Sequence, residues 1–312
     1  MTFDFFDFSR YRTQLMGISI LVIMLFHCGM LVDSRFLAFG YVGVEFFLVI
    51  SAIGIYFSLS KSQDKKTFYK KRLYRILPTY FIVAVPFFMH GHGHGLDNYL
   101  MNLFGLCILK SEYFFWFIWH IIICYLIAPF YFRILKYKYA ILIPFITLGS
   151  CYCLGLSIPA LEIALNRFAI FFLGLHLAKW VHNKKQIQSH FIIPICILAL
   201  FLIIFIGAQP IYHGTKRVTF FFLSIPSLMA FILLLKHCPS YIHKFLIFIG
   251  GITLELYMLH ERITLRVCDM LFGHIAGSII SFPVCIVLAF ILNGIIGVIT
   301  RKLKLSSSTT NR

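Results

Sequence analysis

Gln14-Leu-Met-Gly-Ile-Ser-Ile-Leu-Val-Ile-Met-Leu-Phe-His-Cys-Gly-Met-Leu-Val32 contains no Asp, Glu, Lys or Arg. A helix crossing a bilayer needs about 20 such residues. Arg10 and Arg12 precede the run, and Asp33 and Arg35 follow it. The run has no small-residue cleavage site and is long for a signal-peptide core, so it reads as a retained first span. Its basic leading flank places the N-terminus in the cytoplasm.

Working outward, the same texture recurs. Of 312 residues, 60% are hydrophobic and 12% charged. Soluble domains run near 45–50% apolar and about 25% charged. Disorder is excluded as well, because disordered chains lack aromatics and this one has 36 Phe and 16 Tyr. The expected fold is therefore all-α, a polytopic membrane helix bundle. About ten spans are expected, near 14–32, 38–60, 76–90, 113–132, 139–156, 163–180, 191–208, 218–235, 245–261 and 276–300. The membrane domain is expected to occupy 1–305, with a short polar tail at 306–312. No second, soluble domain is expected. The segment from Asp97 to Leu109 reads as an external interfacial helix.

The net charge of +17 comes from 28 Lys and Arg against 11 Asp and Glu. In a soluble protein it would suggest nucleic acid; here nucleic acid is not an expected partner, and the balance reads as topology. With the N-terminus inside, the inside segments hold 21 of the Lys and Arg and the outside segments hold 6, with Arg167 alone in a span. That asymmetry predicts both termini in the cytoplasm and a multi-pass protein of a bacterial inner or plasma membrane. Membrane lipid is thus one expected partner. The nine Cys sit mostly in apolar runs and form no disulfide framework. His90-Gly-His-Gly-His-Gly95 reads as a polar external turn, and no metal is expected.

Charged groups within spans cost about 2.5–3.5 kcal/mol each on insertion scales, which marks them as functional suspects. The set here is His27, Glu45, His120, Arg167, His176, Glu255 and His260. His120, His176 and Arg167 read as structural, each paired with a neighbouring helix. His27 ends a clean apolar helix and suits a general base near neutral pH. After a short loop comes Gly40-Tyr-Val-Gly-Val-Glu-Phe-Phe-Leu-Val-Ile-Ser51. Gly40 and Gly43 permit close helix approach, and Glu45 lies where it holds a histidine or a substrate hydroxyl. Phe68-Tyr-Lys-Lys-Arg-Leu-Tyr-Arg-Ile-Leu-Pro78 then puts Arg72 and Arg75 on one face of a short helix that Pro78 perturbs. Paired guanidinium groups make a fork for phosphate. A basic loop meeting anionic lipid is the plainer reading of that pair taken alone.

In series, these residues resemble the acyltransferase 3 family of integral membrane acyltransferases. The resemblance runs through His27, then Gly40, Gly43, Val44, Phe46, Phe47 and Ser51, then Arg72, Arg75, Ile76, Pro78 and Tyr80. It continues through Trp116-Phe-Ile with Tyr125 and Pro129, the helix from Arg167 to Gly174, and Gly251-Ile-Thr-Leu-Glu-Leu-Tyr-Met-Leu-His260. The chain departs from the family where Met16 replaces an arginine eleven residues before the histidine. Arg12, one turn earlier on a similar face, takes that arginine's place. Ala52 and Ile53 replace Gly and Phe, and Ile121 and Ile122 replace an acidic pair.

The resemblance implies an O-acyltransferase, with acetyl-CoA as donor substrate and a sugar hydroxyl of a surface polysaccharide or lipid-linked glycan as acceptor. It implies His27 and Glu45 as catalytic residues, and Arg12, Arg72 and Arg75 as the seat of the acyl-CoA phosphates. Two alternatives stay open. One is a non-catalytic glycan transporter or flippase, which gives no reason for the arginine pair before Pro78 together with His27. The other is an acyltransferase for a small lipid or amino compound.

Overall fold

The computed structural model describes residues 2–61, 64–89, 95–110 and 115–309, with only the backbone at 302–309 and at 107. The chain is almost wholly helical. Helix α1 is Arg12–Leu31, and a 3-10 stretch at Arg35–Val42 leads into α2, Gly43–Lys61. Then come α3 (Lys65–Met89), the short α4 (Leu96–Leu103), α5 (Trp116–Ile134), α6 (Ile143–Ser157), α7 (Pro159–Leu165) and α8 (Phe168–His182). The last part holds α9 (Ser189–Ala208), α10 (His213–Leu235), α11 (Ser240–Gly251), α12 (Thr253–Leu259), α13 (Arg266–Phe272) and α14 (His274–Thr309). Among the described residues, nine helices are long and apolar enough to cross a membrane; a tenth span is a pair bent by 64° at Ile252.

Three features differ from the expectation. Pro78 does not end a short helix: α3 runs unbroken for 25 residues with Pro78 and Pro86 inside it. In a bundle, neighbouring helices and local adjustment re-satisfy the carbonyl that a proline frees. Arg72 and Arg75 are therefore on the spanning helix itself. Second, the span expected at 245–261 is broken, and a π-helical turn at His260–Leu265 joins α12 to α13. Third, strand β1 (Thr2–Asp4) pairs antiparallel with β2 (Gln186–Gln188) in an otherwise helical protein. The tract His90 to His94 lies outside the described residues.

Small residues set the helix crossings. A Cβ on Gly43 would stand 2.7 Å from the Ser19 carbonyl oxygen, and one on Gly40 would strike the Val22 carbonyl, so the start of α2 lies directly on α1. A Cβ on Gly174 would stand 2.8 Å from Ala52 Cβ, which seats α8 against α2. Gly17 and Gly250 do the same where α1 crosses α11. Helix α2 is the most enclosed span, and α14 is the most peripheral. Large apolar side chains on the periphery point outward, among them Phe191, Ile197, Phe201, Ile279 and Phe290. A soluble monomer does not expose apolar surface on that scale; here it is the lipid-facing belt of a multi-pass membrane protein.

Candidate functional site

Two cavities enter the bundle, and His27 lies where they approach each other. The first, about 340 Å³, is lined at one end by Arg12, Arg72 and Arg75. Its walls follow helical periods: Thr13, Met16, Ile20 and Ile23 from α1; Val44, Phe47 and Ser51 from α2; Phe117, Ile121 and Tyr125 from α5. The three arginines singled out from the sequence thus meet in one place. Met16 lines the same cavity without a charge.

The three guanidinium groups are not equivalent. Arg75 Nη1 donates to Glu255 Oε1 at 2.8 Å, and Nη2 donates to Glu255 Oε2 at 3.3 Å and to the Gly251 carbonyl at 3.4 Å. Glu255 is fully buried, and Thr79 Oγ1 donates to it as well. Arg75 is therefore committed to closing the broken span onto α3. Arg72 lies over the rings of Phe68 and Tyr125, at 5.5 and 5.8 Å. Arg12 packs against Gly54, where a Cβ would stand 2.5–2.7 Å from its guanidinium atoms. The Nε atoms of Arg12 and Arg72 are buried with no hydrogen-bond partner among the described residues. Buried donors normally find partners, so these two arginines are available for an anion.

The second cavity, about 550 Å³, has a largely apolar lining in which ionisable and aromatic side chains are set. His27, Tyr41, Trp116, Tyr212, Glu162 and Arg217 line it, with Glu261 and Arg262 at its edge. Trp116 faces this cavity while Phe117, the next residue, faces the first. On α1 the change falls between Ile23 and Phe26. The partition is thus about one helical turn thick, about 5 Å. Tyr257 belongs to it: its hydroxyl accepts the Phe117 N–H at 3.3 Å, and its ring lies 5.8 Å from that of His260.

His27 is one-fifth exposed, with Nδ1 3.8 Å from Glu261 Oε1. Its ring meets the His260 ring edge-on at 5.0 Å between centroids. His260 Nδ1 donates to the Tyr257 carbonyl at 2.9 Å and to the Leu256 carbonyl at 3.2 Å. That leaves its Nε2 as a buried acceptor with no partner among the described residues. The π-helical turn begins at His260. Wide turns of this kind recur at functional sites, and here the turn presents His260 and Glu261 side by side toward α1.

Glu45 lies elsewhere. Arg167, fully buried at the break between α7 and α8, donates through Nε to Glu45 Oε1 at 3.1 Å. Arg167 also donates to the Ile163 carbonyl at 2.8 Å and the Tyr41 hydroxyl at 3.3 Å, and its guanidinium lies over the Tyr41 and Trp116 rings. Arg217 extends the network, donating to Tyr41 and pairing with Glu162. Glu45 thus anchors the aromatic wall of the second cavity. Of the remaining in-span histidines, His176 joins Tyr131 to the Ala140 carbonyl, and His120 packs on Phe168. Among the described residues, no group of three or more His, Cys, Asp and Glu side chains converges as metal ligands do.

Sequence reasoning missed Glu261, Gly54 and the pair Glu162–Arg217; Tyr257 stood only in the motif that ends at His260, with no role assigned to it. Glu261, Glu162 and Arg217 stand near the ends of apolar runs, where charges read as interface residues. Residues 14–298 match the family described as Acyltransferase domain, of type 3. No curated protein and no solved structure matched the chain.

Proposed function

The chain belongs to the acyltransferase 3 family and is a multi-pass membrane acyltransferase; from that premise we propose that it moves an acetyl group from cytoplasmic acetyl-CoA to a sugar hydroxyl presented on the opposite side of a bacterial inner membrane. The observation that carries this reading is the pair of cavities separated by about one helical turn at His27. One is cationic at its mouth and suits the phosphates of coenzyme A. The other combines aromatic faces with hydrogen-bonding groups, as a sugar requires.

Arg12 and Arg72 hold the donor phosphates, and Arg75 shapes the same mouth while tied to Glu255. The thioester arm extends past Ile20, Val44 and Ile121 to the partition. Along α1, Arg12 and His27 are about 22 Å apart, a distance suited to a long, thin arm and not to direct contact between them. The acceptor hydroxyl gives its proton to His27 as its oxygen attacks the thioester carbonyl. The carbon–sulfur bond then breaks, and the thiolate recovers the proton. Glu261 orients the His27 ring through Nδ1, which leaves Nε2 as the base. Glu45 acts through Arg167 on Tyr41 and Trp116 and so positions the acceptor.

Cys28 follows His27 on α1 and lines an apolar groove of about 1070 Å³ with Leu31, Leu37, Ile275 and Ile279. Asp33 lines both this groove and the histidine cavity. That proximity supports a lipid-linked glycan as the form in which the sugar arrives.

The test is equilibrium binding of acetyl-CoA to the protein in lipid nanodiscs, which requires no acceptor. Lysine keeps the charge but loses the bidentate fork. Arg12→Lys and Arg72→Lys should each weaken binding about tenfold to a hundredfold, the equivalent of one charge-assisted contact worth about 1.5–3 kcal/mol. Unchanged affinity in both variants would remove the donor from this cavity.

A further inference from the structure

A third cavity, about 640 Å³, lies away from both of those described. It is formed where the turn between α5 and α6, the end of α8, and α9 and α10 meet. Its rim carries Lys136, Lys138, Lys179 and Lys185, and no Asp or Glu lines it. None of these four lysines forms a salt bridge among the described residues. Lys179 Nζ donates only to the Leu135 carbonyl, at 3.3 Å. Below the rim the walls are hydrocarbon: Leu173, Leu177, Ile192, Ile195 and Met229. Trp180 and Tyr137 stand at the mouth, more than half exposed. Aromatic residues of this kind mark the level of the lipid headgroups.

We propose that this cavity is a binding site for an anionic glycerophospholipid, with the phosphate held by the lysine ring and an acyl chain lying along the α8–α9–α10 wall. Charge complementarity selects the headgroup, since four cations without a carboxylate partner among the described residues surround the opening, Lys136 and Lys138 lying only over the rings of Tyr137 and Tyr139. The hydrocarbon interior selects a lipid over free phosphate, because an inorganic anion gains nothing from Leu177 or Met229. A basic loop that only follows the general charge bias of membrane proteins needs no such interior. Occupation of the site is independent of the acyl-transfer reaction.

The experiment is native mass spectrometry of the delipidated protein, titrated with dioleoyl phosphatidylglycerol or dioleoyl phosphatidylcholine, alongside melting in nanodiscs of the same two compositions. Wild type should retain one phosphatidylglycerol more tightly than any phosphatidylcholine and melt higher in phosphatidylglycerol. At about fivefold per lysine near a headgroup, Lys136→Gln/Lys138→Gln/Lys185→Gln should weaken that lipid about a hundredfold. The corresponding triple Arg variant should keep it. Lys65→Gln/Lys66→Gln/Lys244→Gln removes equal charge outside the cavity and should leave the tight lipid in place. Inorganic phosphate should give no stabilisation. Equal retention by wild type and the triple Gln variant, equal loss in the control triple, or stabilisation by phosphate alone would overturn the assignment.

Discussion

A carboxylate 3.8 Å from a histidine nitrogen and a carboxylate buried against an arginine respond differently when their charge is removed. Glu261 is partly exposed and shares its Oε1 between His27 and Arg262. Glu261→Gln should fold normally and lower turnover up to about tenfold, with the acetyl-CoA KM unchanged, because the ring loses the negative charge 3.8 Å from its Nδ1. Glu45 is sealed in with Arg167. Removing one member of a buried pair costs about 3–5 kcal/mol, so Glu45→Gln should lower the melting temperature markedly. Glu45→Gln combined with Arg167→Met should recover part of that loss. Melting curves and initial rates on the same preparations separate the two; full turnover in Glu261→Gln would return the orienting role to another group. His27 and Arg72 were legible in the sequence because an ionisable group in, or paired before, an apolar run is costly. The partner of Glu45 was not, because Arg167 is 122 residues away and nothing local points to it. Glu261 was hidden by its neighbour Arg262, since adjacent opposite charges at a span end read as a solvated pair.

Helices bring these residues together by close approach, and glycine spacing made part of that visible. Gly40 and Gly43 announced the α1–α2 contact. Gly54 did not, because its neighbour is a side chain from the first turn of α1 and not a helix backbone. That difference is testable. In Gly54→Ala the new methyl displaces only the flexible end of Arg12, so the fold should persist while the acetyl-CoA KM rises several-fold. In Gly250→Ala the methyl meets the Thr13 carbonyl on the backbone of α1, so thermal stability should fall instead. An unchanged KM in Gly54→Ala would separate Arg12 from the donor. The broken span was illegible for a related reason. Its apolar pattern continues through Gly251 and Ile252, and only tertiary contacts, Arg75 with Glu255 among them, fix the bend.

At the scale of the whole molecule, composition alone gave the class, because no soluble core absorbs this much hydrocarbon. The count of spans followed from run length, and orientation rests on the distribution of Lys and Arg. Reporter fusions after Lys66 and after Arg312 should both read cytoplasmic, and a fusion at His92 should read external; opposite readings at the first two would invert the donor and acceptor sides. With the expected cytoplasmic termini, the proposed donor mouth at Arg12, Arg72 and Arg75 faces the cytoplasm and the aromatic cavity faces out. In the proposed reaction transfer between them passes through His27, and a small residue there is easily accommodated in a span. The most direct measurement is acetyl-CoA-dependent acetylation of endogenous glycan in isolated membranes carrying wild type or His27→Ala at matched protein level. The account predicts that His27→Ala inserts, melts as wild type, binds acetyl-CoA with unchanged affinity and transfers no acetyl group; transfer at the wild-type rate would contradict it.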